Sequence, residues 1–136
     1  MTRSGFNFFT AHSARYLEMA FRRDRTEKVL APDGYGKNTG ECGDTVEFFV
    51  MACGGRIHRV SYVADGCLNT HACANAVGHF AEGKNIREAW RITSEAVVEF
   101  LETLPEDSTH CAELAVGALY RALANLPAAT EDSDQA

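Results

Sequence analysis

Residues 39–49 read TGECGDTVEFF, and they set Cys42 beside Gly43 with Asp44 two places on, just ahead of a run of strand formers. Two further cysteines stand at comparable places. Cys67 follows Asp65-Gly66, where a strand pattern gives way to a helical one, and Cys111 follows His110 in the expected first turn of the last helix. All three fall at element ends, where loops bring side chains together. A helix N-terminus also lowers a thiol's pKa through its unpaired N–H groups and dipole, which favours the thiolate that binds metal or attacks sulfur. With Asp44 and His110, the chain offers three sulfurs, one carboxylate and one imidazole. Four such groups satisfy tetrahedral Zn²⁺, and an iron–sulfur cluster is held by Cys thiolates with His sometimes substituting. There is no CxxC pair, and successive thiols stand 25 and 44 positions apart. Spacing alone therefore leaves a shared metal site and three unrelated buried thiols both open.

Bulk composition narrows the setting. The chain has 136 residues, which suits one domain with a core of its own. No apolar run reaches the roughly 20 residues of a membrane span. The start, MTRSGFNFFTAHSARY, lacks an apolar stretch followed by a small-residue cleavage site, so the expected location is the cytoplasm. A reducing compartment turns five cysteines toward metal, sulfur or redox chemistry rather than disulfides. The net charge of −6 argues against nucleic acid, whose phosphates need a basic footprint. The one basic cluster, Arg15, Arg22, Arg23, Arg25 and Lys28, is interleaved with Glu18, Asp24 and Glu27 and reads as a solvated helix face.

The elements that must position these residues follow from periodicity. A helix is expected over 13–30, with Ser13 as N-cap and Leu30 among its apolar positions. Pro32-Asp33-Gly34 ends it, and Gly34, Gly36 and Gly40 predict a flexible loop. Thr45–Cys53 and Arg56–Ala64 form a hairpin across Gly54-Gly55. Helices follow over 68–82 with Gly83 after its end, from a capping box at Asn85-Ile86-Arg87-Glu88, from Thr93 or Ser94, and from Asp107 or Ser108 to about Asn125. Trp90 is expected in the core. The order implies an α+β fold: a small antiparallel sheet, built on the hairpin, with several helices on one face. Residues 1–34 form an N-terminal helical segment, 35–126 the main domain, and 127–136 a disordered acidic tail. Cys53 and Cys73 lack acidic or histidine neighbours at ligand spacing and read as structural. His71, one turn after Cys67, reads as a helix-surface residue that can approach the site.

Cys42-Gly43-Asp44 before a strand, Gly66-Cys67 closing the hairpin, His110-Cys111 opening the last helix and the intervening EGKNIREAWRIT together resemble the IscU family and the N-terminal domain of NifU. The likeness runs from about Tyr35 to Leu126. It implies a non-enzymatic scaffold on which iron and sulfur are assembled into a labile 2Fe–2S cluster that is then passed to apo-proteins. Sulfur would come as persulfide from a cysteine desulfurase. Cys42, Cys67 and Cys111 would be the thiolate ligands, with Asp44 the acidic residue that keeps the site labile or ligates and His110 the adjacent histidine, either of the two completing the set as fourth ligand. Zn²⁺ would fit the cluster-free site, and a homo-oligomer is compatible with the family. A departure stands at Leu104-Pro105-Glu106-Asp107-Ser108, where the family carries the chaperone-recognised Leu-Pro-Pro-Val-Lys. Two alternatives remain: a zinc-containing sulfur-transfer partner that relays persulfide, and a zinc-stabilised interaction module.

Overall fold

The computed structural model describes residues 11–127 except Cys42. Strands β1 (Gly34–Thr39), β2 (Thr45–Cys53) and β3 (Arg56–Asp65) form one antiparallel sheet in the order β1-β2-β3. The expected hairpin is β2–β3. Its turn residues Gly54 and Gly55 have φ of +64° and +78°, the left-handed pair that a two-residue hairpin turn requires. Val46, Phe48 and Val50 of β2 and Ile57, Val60 and Tyr62 of β3 are buried.

The helices are α1 (Ala14–Phe21), α2 (Leu68–Ala81), α3 (Ile86–Ala89), α4 (Ser94–Leu101) and α5 (Thr109–Ala124), with a 3₁₀ turn over Glu106–Ser108. Helix α5 lies on β1 and β2, α2 on β3, and α1 on α2. Helix α2 is enclosed by these neighbours, with Ala72 to Gly78 buried in succession. Small side chains there allow close approach of the surrounding elements. Three caps follow the sequence: Ser13 Oγ accepts from the Tyr16 N–H, Asn85 and Glu88 form the reciprocal box, and Thr93 Oγ1 accepts from the Ala96 N–H.

Four expectations are corrected. Helix α1 ends at Phe21, with Arg22 already extended. The next residues leave the helix to pair with the outer edge of β3: the Tyr62 N–H donates to the Arg25 carbonyl and the Glu27 N–H to the Tyr62 carbonyl. Leu30 is consequently 97% exposed. Arg25 is not solvated but buried, its Nη2 2.8 Å from Glu82 Oε1. The glycine-rich loop is in fact the strand β1. Glycine is required because a Cβ at Gly34 or Gly36 would stand 2.4 or 2.3 Å from backbone atoms of Ala122, so α5 rests directly on the strand. Trp90 is 39% exposed and stacks on Tyr120 instead of entering the core.

The outer edges of the sheet are also engaged. Arg121 Nη1 donates to the Lys37 carbonyl at 3.2 Å and Asn125 Nδ2 to the Tyr35 carbonyl at 2.6 Å along β1. On β3, Ile57 exchanges backbone bonds with Gly83 and Lys84. Among the described residues no helix is long and apolar enough to cross a membrane. The expected acidic tail lies, beyond Pro127, outside the described residues.

Candidate metal centre

Three of the five sequence-predicted ligands converge. The donor atoms of Asp44, Cys67 and Cys111 lie within 4.8 Å of one another, and among the described residues they form the one such group. Each comes from a different element end. Asp44 precedes β2 in a tight loop, where Gly43 takes a φ of +93° and the Gly40 N–H donates to the Asp44 carbonyl at 2.8 Å. Cys67 is the N-cap residue of α2, and its carbonyl accepts from the N–H groups of Thr70 and His71. Cys111 lies in the first turn of α5 and is 1% exposed. Both thiols thus sit at the start of a helix, and at Cys67 the backbone N–H groups of Asn69 and Thr70 face the sulfur.

Cys67 and Cys111 differ in character. Partial burial pushes the Cys67 thiol up, but it is brought down chiefly by the backbone N–H groups of Thr70 and Asn69. The result is a thiol held below its ordinary value on an exposed side chain. Burial pushes the Cys111 thiol up to about 11, with the charges of Cys67 and Asp44 adding to the rise. One thiol is exposed and shifted toward the thiolate. The other stays protonated until a cation replaces its proton.

The donor set suits a thiophilic metal. Two thiolates on one tetrahedral ion at about 2.3 Å each sit about 3.8 Å apart. A spread of up to 4.8 Å is within reach of small side-chain rotations. His110 is exposed, with Nε2 3.7 Å from Cys111 Sγ, so it stands at the rim of the group. Beside it an open groove of about 620 Å³ runs between Glu41, Asn38, His110 and Glu113. Cys42 lies outside the described residues.

The remaining candidates take no part in the group. His71 Nδ1 pairs with the Tyr62 hydroxyl at 3.1 Å, and burial together with the Arg23 charge lowers its pKa. Cys73 is fully buried, and burial raises its thiol well above the ordinary value. Cys53 is exposed at the end of β2. The sequence reading missed Thr70, whose hydroxyl donates to Asp44 Oδ2 at 3.0 Å and lies 3.7 and 3.8 Å from the sulfurs of Cys67 and Cys111. The available signal was the Cys67-x-x-Thr70 spacing, which stacks the two residues on one face of the first turn. Ser108, one of the two expected caps, stands at the N-cap of α5 but makes no side-chain cap hydrogen bond; its hydroxyl instead accepts from Asn69 Nδ2.

Known proteins share this arrangement of elements. The family model for the NifU-like N-terminal domain matches residues 25–132. Two proteins of Archaeoglobus fulgidus named iron–sulfur cluster assembly scaffold proteins IscU 1 and IscU 2 are each 35% identical over 97 residues, covering 71% of this chain and 63% of theirs. The bifunctional protein NifU/MnmA of Rubrobacter xylanophilus is 33% identical over 114 residues, covering 82% of this chain and 23% of that protein. The chain thus spans less than two thirds of the length of these curated relatives. Among solved structures, the N-terminal part of a NifU-like protein from Brucella abortus superposes with a TM-score of 0.69 at 16% identity. That match covers 84% of this chain and 92% of the other, and it shows a common fold.

Proposed function

Because the chain belongs to the family of NifU-like N-terminal domains, we propose that it is an iron–sulfur cluster assembly scaffold. In this reading iron and sulfur are its cargo, built into a labile 2Fe–2S cluster and passed to apo-proteins. The observation that carries the reading is the convergence of Asp44, Cys67 and Cys111 from three element ends. Cys42, Cys67 and Cys111 supply thiolates, while Asp44 and His110 supply the harder donors. A mixed set of this kind binds a cluster less firmly than four thiolates do, which suits a cluster meant to leave. The scaffold proper is placed at 35–126, preceded by residues 1–34, of which Ala14–Phe21 are helical, and followed by the acidic residues 127–136. A cysteine desulfurase delivers the sulfur, and the cluster-free site accepts Zn²⁺.

The chain's own groups divide the work. The exposed Cys67 is the first acceptor of persulfide sulfur: its thiolate attacks the outer sulfur of the desulfurase persulfide, that S–S bond breaks, and the desulfurase cysteine leaves as thiolate. Cys111, buried and protonated, releases its proton when iron arrives. The α2 N-terminus at Cys67 offsets part of the negative charge that thiolates and sulfide accumulate.

Anaerobic reconstitution with Fe²⁺, cysteine, a desulfurase and excess dithiothreitol, which supplies the electrons that take persulfide sulfur to sulfide, tests the proposal, followed by transfer to an apo-ferredoxin. The expected result is a transferable 2Fe–2S absorption spectrum lost in Cys42→Ala, Cys67→Ala and Cys111→Ala and kept in Cys53→Ala. The exposure of Cys67 favours a second reading, a zinc-containing relay of persulfide to another pathway. Persulfide on Cys67 or Cys111 and one tightly held Zn²⁺, with no cluster formed, would establish that reading instead.

A further inference from the structure

Thr70 is one of four polar residues buried among the described residues, at 0% exposure, and it sits between all three converging donors. Its hydroxyl has one hydrogen, and that hydrogen goes to Asp44 Oδ2 at 3.0 Å because a carboxylate only accepts. The hydroxyl oxygen remains within reach of Cys67 Sγ at 3.7 Å and Cys111 Sγ at 3.8 Å. The pocket is closed on the far side by backbone. A Cβ at Gly66 would lie 2.7 Å from Thr70 Oγ1 and 3.0 Å from Asp44 Oδ2, so glycine there lets the hydroxyl and carboxylate pack together. Thr70 itself is fixed, since its N–H closes the first turn of α2 on the Cys67 carbonyl at 3.0 Å.

Resting on the metal-site reading above, we propose that Thr70 is the positioning residue of this centre. Its hydroxyl anchors one oxygen of Asp44 and leaves the carboxylate aimed at the position shared by the two sulfurs. Asp44 enters from a loop with a glycine on each side of Cys42, whereas Cys67 and Cys111 are carried by helices. The carboxylate is thus the donor with the least rigid support, and Thr70 links it to the α2 N-terminus. Partners of this kind, one bond away from the metal, typically change affinity by about 10- to 100-fold when removed.

Co²⁺ is the probe, added anaerobically to the reduced, metal-free full chain, with thiolate-to-cobalt absorption and chelator competition as readouts. Thr70→Val removes the hydroxyl at nearly constant shape and is expected to weaken Co²⁺ binding by about 10- to 100-fold. Thr70→Ser keeps the hydroxyl and is expected to bind within about threefold of wild type. The deciding measurement is a double-mutant cycle with Asp44→Asn. If Thr70 acts through Asp44, the loss from Asp44→Asn largely disappears once Thr70 is Val. A purely structural role would leave the two losses multiplicative, and that outcome, or wild-type binding by Thr70→Val, or no recovery in Thr70→Ser, overturns the proposal. Should Thr70→Val fail to fold, as judged by circular dichroism, Thr70→Ala enters the same cycle. Absence of thiolate-to-cobalt absorption in the wild type overturns the metal site itself and this inference with it. Absorption that is present but indifferent to Thr70 overturns this inference alone.

Discussion

At the scale of single residues, the two described thiols of the candidate centre have opposite tempers. Cys67 is exposed and held below its ordinary pKa; Cys111 is buried and raised to about 11. Alkylation depends on thiolate and on access together. With a metal-free protein at pH 8, Cys67 is therefore expected to react with iodoacetamide at least roughly tenfold faster than Cys111. Peptide mapping over a time course reads this directly, and equal rates would show that the helix-end environment of Cys67 does not activate it. Arg25 shows a second residue-scale effect. Its Nη2 pairs with Glu82 while Nε and Nη1 find no partner, and its stem crosses Gly78 so closely that a Cβ there would lie 2.6 Å from Arg25 Cδ. Arg25→Ala leaves Glu82 with its second oxygen on the Val60 N–H and no cation, a loss of about 3 kcal/mol in urea unfolding.

At the scale of elements, β1 is decided by contact with α5. Its sequence, GYGKNT, has hardly any strand formers, yet it pairs with β2 along its whole length. The glycines matter as absent side chains. Gly36→Ala would drive a Cβ to 2.3 Å from the Ala122 nitrogen and 2.4 Å from the Ala118 oxygen, atoms that cannot swing aside. A loss of about 3 kcal/mol is expected from this overpacking. Gly40→Ala meets nothing closer than 3.8 Å and should leave the metal-free melting temperature within a degree or two, a change typical of neutral surface substitutions. Matching losses for both would mean that backbone freedom, not space, explains the glycines. The same reasoning accounts for what could be read in advance. The β2–β3 hairpin, α2, and the caps at Ser13, Asn85 and Thr93 rest on local patterns and were legible. The end of α1 at Phe21 and the existence of β1 depend on partners distant in sequence, Tyr62 and α5, and local propensity carries no trace of them. At the site, the types and places of Cys67, Cys111 and Asp44 were legible from their element ends. Thr70 was not, because its one signal, a place three residues after Cys67 on the same helix face, gains meaning only once three donors surround it.

At the scale of the whole molecule, two histidines make the fold sensitive to acid. Burial, and then the charge of Arg23, lowers the pKa of His71; burial, and then the charges of Arg25 and Arg22, lowers that of His79. Folded values below the unfolded value of about 6.5 mean that the unfolded chain takes up more protons as pH falls. Their contribution to stability is therefore complete above about 6.5 and is lost as pH drops through the folded values. The metal-free protein should melt at a lower temperature at pH 5.5 than at pH 7.5, and a His71→Asn, His79→Gln double variant should show a smaller drop. An identical drop in the variant would assign acid sensitivity to the carboxylates. The margins of the sheet have a different bearing, on behaviour in a crowded solution. An unpaired strand edge is a template on which other chains can pair and grow into aggregates. Here the carbonyls of Tyr35 and Lys37 are taken by Asn125 and Arg121, and β3 is flanked by residues 25–27 and 83–86. A short strand with two glycines, otherwise an easy register for a stranger to adopt, is thereby closed by two side chains of the helix that also brings Cys111 to the site. Copies of this chain can then meet one another at high concentration with neither sheet margin offered as a bare template.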